Sequence, residues 1–297
     1  MMQLTTLANG LCVASRPMQS VETVAVGLYA ATGSRNEPAA LNGIAHLFEH
    51  MVFKGAGGRS AREISETIED VGGDLNASTD RELTAFYASL LAPDLALGVR
   101  LLSDLIRRPH FEPAHLALEK KVVLQELAEA RETPSDIVFD HLQEAAFADQ
   151  PLGRSVLGDE GSIGAITVDD LREWLRSQYS PNRLVLVAAG KLEHVHLVEV
   201  AEQAFGDMVA TDRTPTEPAS FTGGRRFDRR KGAQAQIALA MPAPKWGAPD
   251  AFASQLFADV VGVGSSSRLF QQLREDQGLA YSISVRTSSA SDRSAAT

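Results

Sequence analysis

Along residues 2–208 the spacing of apolar residues switches repeatedly between the two-residue period of a strand and the three-to-four-residue period of a helix. A chain of that kind folds as a sheet with helices packed on it. Residues 2–32 read as strands. Asn9-Gly10 marks a hairpin, Leu11, Val13 and Ser15 alternate behind it, and VETVAVGLYAATG follows with β-branched residues at intervals. In GIAHLFEHMVFKG, residues 43–55, Ile44, Leu47, Phe48 and Met51 recur at helical spacing between bracketing glycines. Ser60 and Glu63 form a capping box ahead of a helix that Gly72-Gly73 ends. LNASTDRELTAFYASLL predicts strands with a turn near Asp80, and helices are expected in LALGVRLLSDLI after Pro93 and in the long AHLALEKKVVLQELAEARETPSD after Pro113. Two further helices fit SDIVFDHLQEAAF and TVDDLREWLRSQY, RLVLVAAG after Pro181 reads as a buried strand, and HVHLVEVAEQAFGDM, a helix or turn, closes this first unit.

Residues 211–224, TDRTPTEPASFTGG, are rich in Pro, Thr and Gly and form the expected linker between a first domain, 1–210, and a second, 225–297. Beyond it QAQIALAMPAP and AYSISV are strand-like, DAFASQLFADVVG and SSRLFQQLREDQG are helical, and TSSASDRSAAT carries no apolar periodicity. The expected fold class is α+β: a mainly antiparallel sheet with helices on one face, followed by an incomplete second copy.

Composition removes several functions. Among 297 residues, 28 Lys+Arg against 38 Asp+Glu leave a net charge of −10, which argues against binding nucleic acid through its phosphates. The basic cluster of Arg225, Arg226, Arg229, Arg230 and Lys231 is broken by Phe227 and Asp228 and reads as the exposed side of a strand and turn. A single cysteine, Cys12, excludes an internal disulfide and a cysteine-rich zinc module. No apolar stretch approaches the ~20 residues of a membrane span, and the first residues lack a basic head followed by an apolar block. The expected location is cytoplasmic.

His46, Glu49 and His50 form HLFEH. At spacing i, i+3 and i+4 the three side chains share one helical stripe, so two imidazoles can bind one metal ion while the carboxylate reaches a water on that ion. H-x-x-E-H is the inverted zincin order. A catalytic zinc also needs a third protein ligand. Glu119, Glu126 and Glu129 share a face of the long helix, and periodicity alone does not choose among them. His110 and His115 read as surface residues, His141 as a packing or hydrogen-bonding residue, and His194 and His196 as a pair without a nearby partner.

HLFEHMVFKG, GGDLNASTDRELTAFYA, EKKVVLQE, SDIVFDHLQEAAFADQPLGRSVLG and YSPNRLVLVAAG, in that order and spacing, resemble the pitrilysin family of zinc peptidases. The branch most resembled is that of mitochondrial processing peptidase and its bacterial homologues, over about residues 2–285. The resemblance implies His46, His50 and Glu126 as ligands of Zn2+, Glu49 as general base and Glu119 as a second carboxylate supporting the site. Glu129 receives no role. It implies that LNAST is a substrate-binding edge strand, with Asn76 and Ala77 pairing to the peptide backbone, and that Arg274 and Tyr281 of LREDQGLAY lie near the substrate. Family members of this type pair two similar domains of roughly 200 residues, whereas only about 75 residues follow the linker here.

The expected function is therefore a zinc-dependent endopeptidase acting on extended or unfolded peptides, with a second copy or a homologous subunit as partner. The alternative is a non-catalytic partner subunit of a peptidase complex, and a third reading is a small-molecule metallohydrolase, which leaves LNAST and the second domain unexplained.

Overall fold

The computed structural model describes residues 1–212, 216–291 and 294–296. Residues 213–215 of the expected linker, and 292, 293 and 297 of the tail, lie outside that range. The chain forms two compact units, one of Met1–Ala128 with Ser155–Thr216, the other of Glu129–Arg154 with Glu217 onward.

The first unit opens with three strands, β1 (Gln3–Thr6), β2 (Cys12–Pro17) and β3 (Thr23–Ala30). Helix α1 (Ile44–Val52), the short strands β4 (Gly55–Ala56) and β5 (Arg59–Ser60), and helix α2 (Ala61–Glu69) follow. A hairpin of β6 (Asp74–Thr79) and β7 (Thr84–Leu91) leads into α3 (Leu95–Arg107) and α4 (Pro113–Glu132). Helix α5 (Pro134–Ala146) belongs to the other unit, after which α6 (Glu160–Ala165), α7 (Val168–Gln178), β8 (Leu184–Gly190) and α8 (His194–Phe205) complete the first. The six-stranded sheet runs β1-β2-β8-β3-β7-β6. Its one parallel pair is β2 with β8, because the late strand inserts between β2 and β3. The expectation of a mainly antiparallel sheet holds.

One face of that sheet carries the core. Val24, Val26, Leu28 and Ala30 of β3 and Leu184, Leu186 and Ala188 of β8 are buried, while the residues between them are half-buried or exposed, apart from Gly27, which is buried as well. The alternation follows from the two-residue period of a strand, and helices α1, α3 and α8 cover the buried side. Helix α2 starts with the expected capping box, Ser60 accepting from the Glu63 N–H and Glu63 accepting from the Ser60 N–H. Strand β6 is an edge: β7 is its only hydrogen-bonded neighbour among the described residues.

In the second unit Ala146, Phe147, Leu152 and Ala219 form a small core with Phe221 packed against it. Strands β9 (Met241–Ala243), β10 (Thr287–Ser289) and β11 (Ser294–Ala296) make an antiparallel sheet, and α9 (Ala251–Gly262) occupies the expected helical run. Two expectations are corrected here. Only residues 241–243 of QAQIALAMPAP form a strand, and AYSISV is irregular, whereas SSRLFQQLREDQG is helical as expected, with π-helical bonding over Phe270–Asp276. Ile237 and Leu239 alternate as a strand would, yet both are exposed and unpaired in the described sheets. Alternation marks a face, but a strand also needs a neighbour to bond to. The basic cluster at 225–231 is exposed as expected, in irregular chain instead of a strand.

Candidate metal centre

Ile44, Leu47, Phe48 and Met51 take the buried stripe of α1, and Phe48 stacks on Tyr179 with ring centroids 4.7 Å apart. His46, Glu49 and His50 are consequently turned to the opposite face. The start of α1 is fixed by a residue the sequence reading missed. Glu37, 4% exposed, accepts hydrogen bonds from the Gly43 N–H (2.8 Å), the Ala45 N–H (2.9 Å) and the Asn42 side chain (2.7 Å). Gly43, the N-cap, has no side chain with which to cap, so a carboxylate six residues earlier satisfies the free amides and sits at the positive end of the helix.

Helix α4 brings Glu126 to this face. Its Oε2 lies 3.7 Å from His46 Nε2 and 3.7 Å from His50 Nε2, and one donor atom from each of the three residues lies within 4.8 Å of the others. The imidazoles meet edge to face at 4.7 Å. At 3.7 Å neither carboxylate–imidazole approach is a hydrogen bond, so the three donors converge without a proton held between them. Zinc bonds of about 2.0–2.2 Å place tetrahedral ligands about 3.4 Å apart, close to the two 3.7 Å carboxylate–imidazole separations. Two imidazoles and one carboxylate are the protein donor set of a catalytic zinc site, and the residues fit the ion.

The electrostatics agree. Burial, with His50 alongside, lowers the His46 pKa to about 4, so at pH 7 the ring is neutral and able to ligate. Burial raises the Glu49 pKa; its hydrogen bond from Thr79 and the adjacent His50 oppose that rise, and Glu126 adds to it. Thr79, the last residue of edge strand β6, donates its hydroxyl proton to Glu49 Oε2. This contact was also missed, although Thr79 shares the half-buried parity of Leu75 and Ala77 along β6.

The expected supporting carboxylate, Glu119, is buried, with Oε2 3.1 Å from His50 Nδ1 and Oε1 2.9 Å from Lys54 Nζ. His46 has no counterpart: its Nδ1 is buried without a hydrogen-bond partner among the described residues. Glu129 is exposed. Asn76 and Ala77 lie on the edge strand, where the Asn76 side chain accepts the Ala77 N–H at 2.8 Å. Arg274 and Tyr281 belong to the second unit and come together there. The guanidinium lies 4.8 Å from the Tyr281 ring centre and 4.7 Å from that of Phe270. His194, expected to have no ligating partner nearby, has its two ring nitrogens 2.8 Å from Ser15 Oγ and 2.8 Å from Thr5 Oγ1.

Comparison with known proteins adds to this geometry. Residues 12–160 match the family described as insulinase (peptidase family M16), and residues 165–297 match the peptidase M16 inactive domain. An uncharacterized zinc protease of Streptomyces coelicolor is 36% identical over 297 residues, covering 97% of this chain and 65% of that protein. A protein of Arabidopsis thaliana named as a probable mitochondrial-processing peptidase subunit beta is 37% identical over 267 residues, covering 88% of this chain and 50% of that protein. The chain thus spans about two thirds of the Streptomyces relative and half of the Arabidopsis one. Among solved structures, a protease from Helicobacter pylori shares the fold, with a TM-score of 0.88 at 21% identity over 100% of this chain and 73% of that one. With the first family description matching half of its length and the second most of the remainder, the chain belongs to the M16 (insulinase) family of peptidases.

Proposed function

We propose that this chain carries the catalytic centre of a zinc-dependent endopeptidase that cleaves extended or unfolded peptides. The observation that carries the reading is the convergence of His46, His50 and Glu126 beside a carboxylate, Glu49, that is tied to an open sheet edge. His46, His50 and Glu126 would hold the ion, and when bound it polarises the scissile carbonyl and acidifies water. Glu49 takes the proton of the attacking water and passes it to the leaving amine. Thr79 keeps that carboxylate directed at the end of β6. A peptide pairing with β6 displaces the Asn76 side chain from the Ala77 N–H and runs toward Glu49, which favours substrates able to lie extended. Arg274, with the exposed Tyr281 beside it, is suited to bind a peptide carbonyl or carboxylate. A homologous subunit or a second copy is the proposed partner, an assignment supported by the Arabidopsis relative's being named as a subunit.

The test is zinc content together with cleavage of a quenched peptide, for wild type and Glu49→Gln. The substitution should leave zinc bound and lower kcat/KM by about 10²–10⁴-fold. Bound zinc without any cleavage that depends on Glu49 favours the non-catalytic partner subunit instead.

A further inference from the structure

Helix α1 ends at Val52, but the chain turns once more, the Lys54 N–H bonding to the Met51 carbonyl at 3.2 Å. Lys54, four residues after His50, therefore lies one turn further along the same face. Its ammonium meets Glu119 Oε1 at 2.9 Å, while Glu119 Oε2 lies 3.1 Å from His50 Nδ1. We propose that Lys54 is a positioning residue for the metal site, acting through Glu119 on the ring of His50. The proposal rests on the reading of His46, His50 and Glu126 as zinc ligands.

An ionised carboxylate only accepts hydrogen bonds, so Glu119 requires His50 Nδ1 to be the protonated nitrogen. That leaves the lone pair on Nε2, the nitrogen facing Glu126. A carboxylate held at one oxygen can still rotate about its last torsion, whereas one held at both oxygens has its plane fixed. Glu119 is 8% exposed at its side chain and Lys54 35%, so the pair lies where water competes poorly at the carboxylate and the ammonium is the group that completes it. Lys54 thus sets the plane of Glu119, and Glu119 sets the tautomer and tilt of His50. Such outer contacts to a ligand are worth about 10- to 100-fold in metal affinity. Direct repulsion between Lys54 and a cation works in the opposite sense, but the carboxylate and the width of an imidazole separate the two, so loss of orientation dominates.

Lys54→Met keeps the apolar stem and removes the charge, and Lys54→Arg keeps a donor for Glu119. Zinc dissociation constants from chelator competition on the full chain should rise about tenfold for Lys54→Met and return to within a few-fold of wild type for Lys54→Arg. Nitrogen-15 shifts of His50 in the metal-free protein should show protonated Nδ1 in wild type and Lys54→Arg, and a larger Nε2-protonated fraction in Lys54→Met, where Glu119 is free to turn its carboxylate away from Nδ1. A role confined to stability predicts a lower melting temperature with both readouts unchanged, and that result overturns the proposal, as does tighter zinc binding by Lys54→Met. If wild type binds no zinc, the functional reading fails, while the His50 tautomer still decides the Lys54 claim by itself.

Discussion

The two edges of the six-stranded sheet end in similar chemistry put to different use. At one edge Thr79 of β6 donates to Glu49, and at the other Thr5 of β1 lies 2.8 Å from His194 at the start of α8. Both contacts join a threonine hydroxyl to a titratable side chain on a helix. His194 has both ring nitrogens bonded to hydroxyls, Ser15 supplying the second, so nothing is left over to bind a ligand. His46, by contrast, has a buried Nδ1 with no partner among the described residues and an Nε2 that faces a carboxylate beyond hydrogen-bonding range. Saturated polar groups hold an edge strand in place, and unsaturated ones that converge make a site. The difference is therefore one of hydrogen-bond bookkeeping, not of residue type.

Acid breaks this comparison on the side of the site. The unfolded chain takes up the His46 proton below its ordinary value of 6.5, but the folded chain does so only near pH 4. The folded state binds fewer protons across that window, so this contribution to stability is intact above pH 6.5 and is lost as the pH falls toward 4. The loss in the metal-free protein is on the order of 3 kcal/mol. Urea unfolding between pH 7 and 4 measures it, and His46→Gln should flatten that part of the curve. On the opposite edge, His194→Ala leaves the buried Ser15 hydroxyl without its imidazole partner and should cost about 1–3 kcal/mol in urea unfolding, with zinc content unchanged. The smallest effect is expected from Thr79→Val, which removes one hydroxyl at nearly constant volume. It should lower kcat about tenfold, or about 1.4 kcal/mol, and leave unfolding within about 0.5 kcal/mol of wild type. A loss of zinc in His194→Ala, or an unaltered kcat in Thr79→Val, would erase the distinction between the edges.

What the sequence disclosed follows the same division between local and distant causes. The face of α1, the capping box at Ser60 and the buried run of β8 are properties of a few neighbouring residues, and helical or strand spacing reveals them directly. Glu126 was one of three glutamates that spacing left equal, and its choice rested on the family resemblance. Glu37 and Thr79 act across 6 to 30 positions of chain, on groups that no local period connects to them. Lys54 was within reach, since it stands one helical turn past His50, but only the position of Glu119 on another helix gives that spacing a meaning. The misread strands at 234–240 and 280–285 have the same origin: alternation is present and, among the described residues, a pairing neighbour is not.

The central claim is that two imidazoles of α1 and one carboxylate of α4 share a single zinc ion. Anomalous diffraction at the zinc absorption edge, from crystals of the full chain grown with zinc, tests it most directly. The account predicts one strong peak within about 2.0–2.2 Å of His46 Nε2, His50 Nε2 and a Glu126 oxygen. A map with no peak there, or with its strongest peak at another set of side chains, would contradict it.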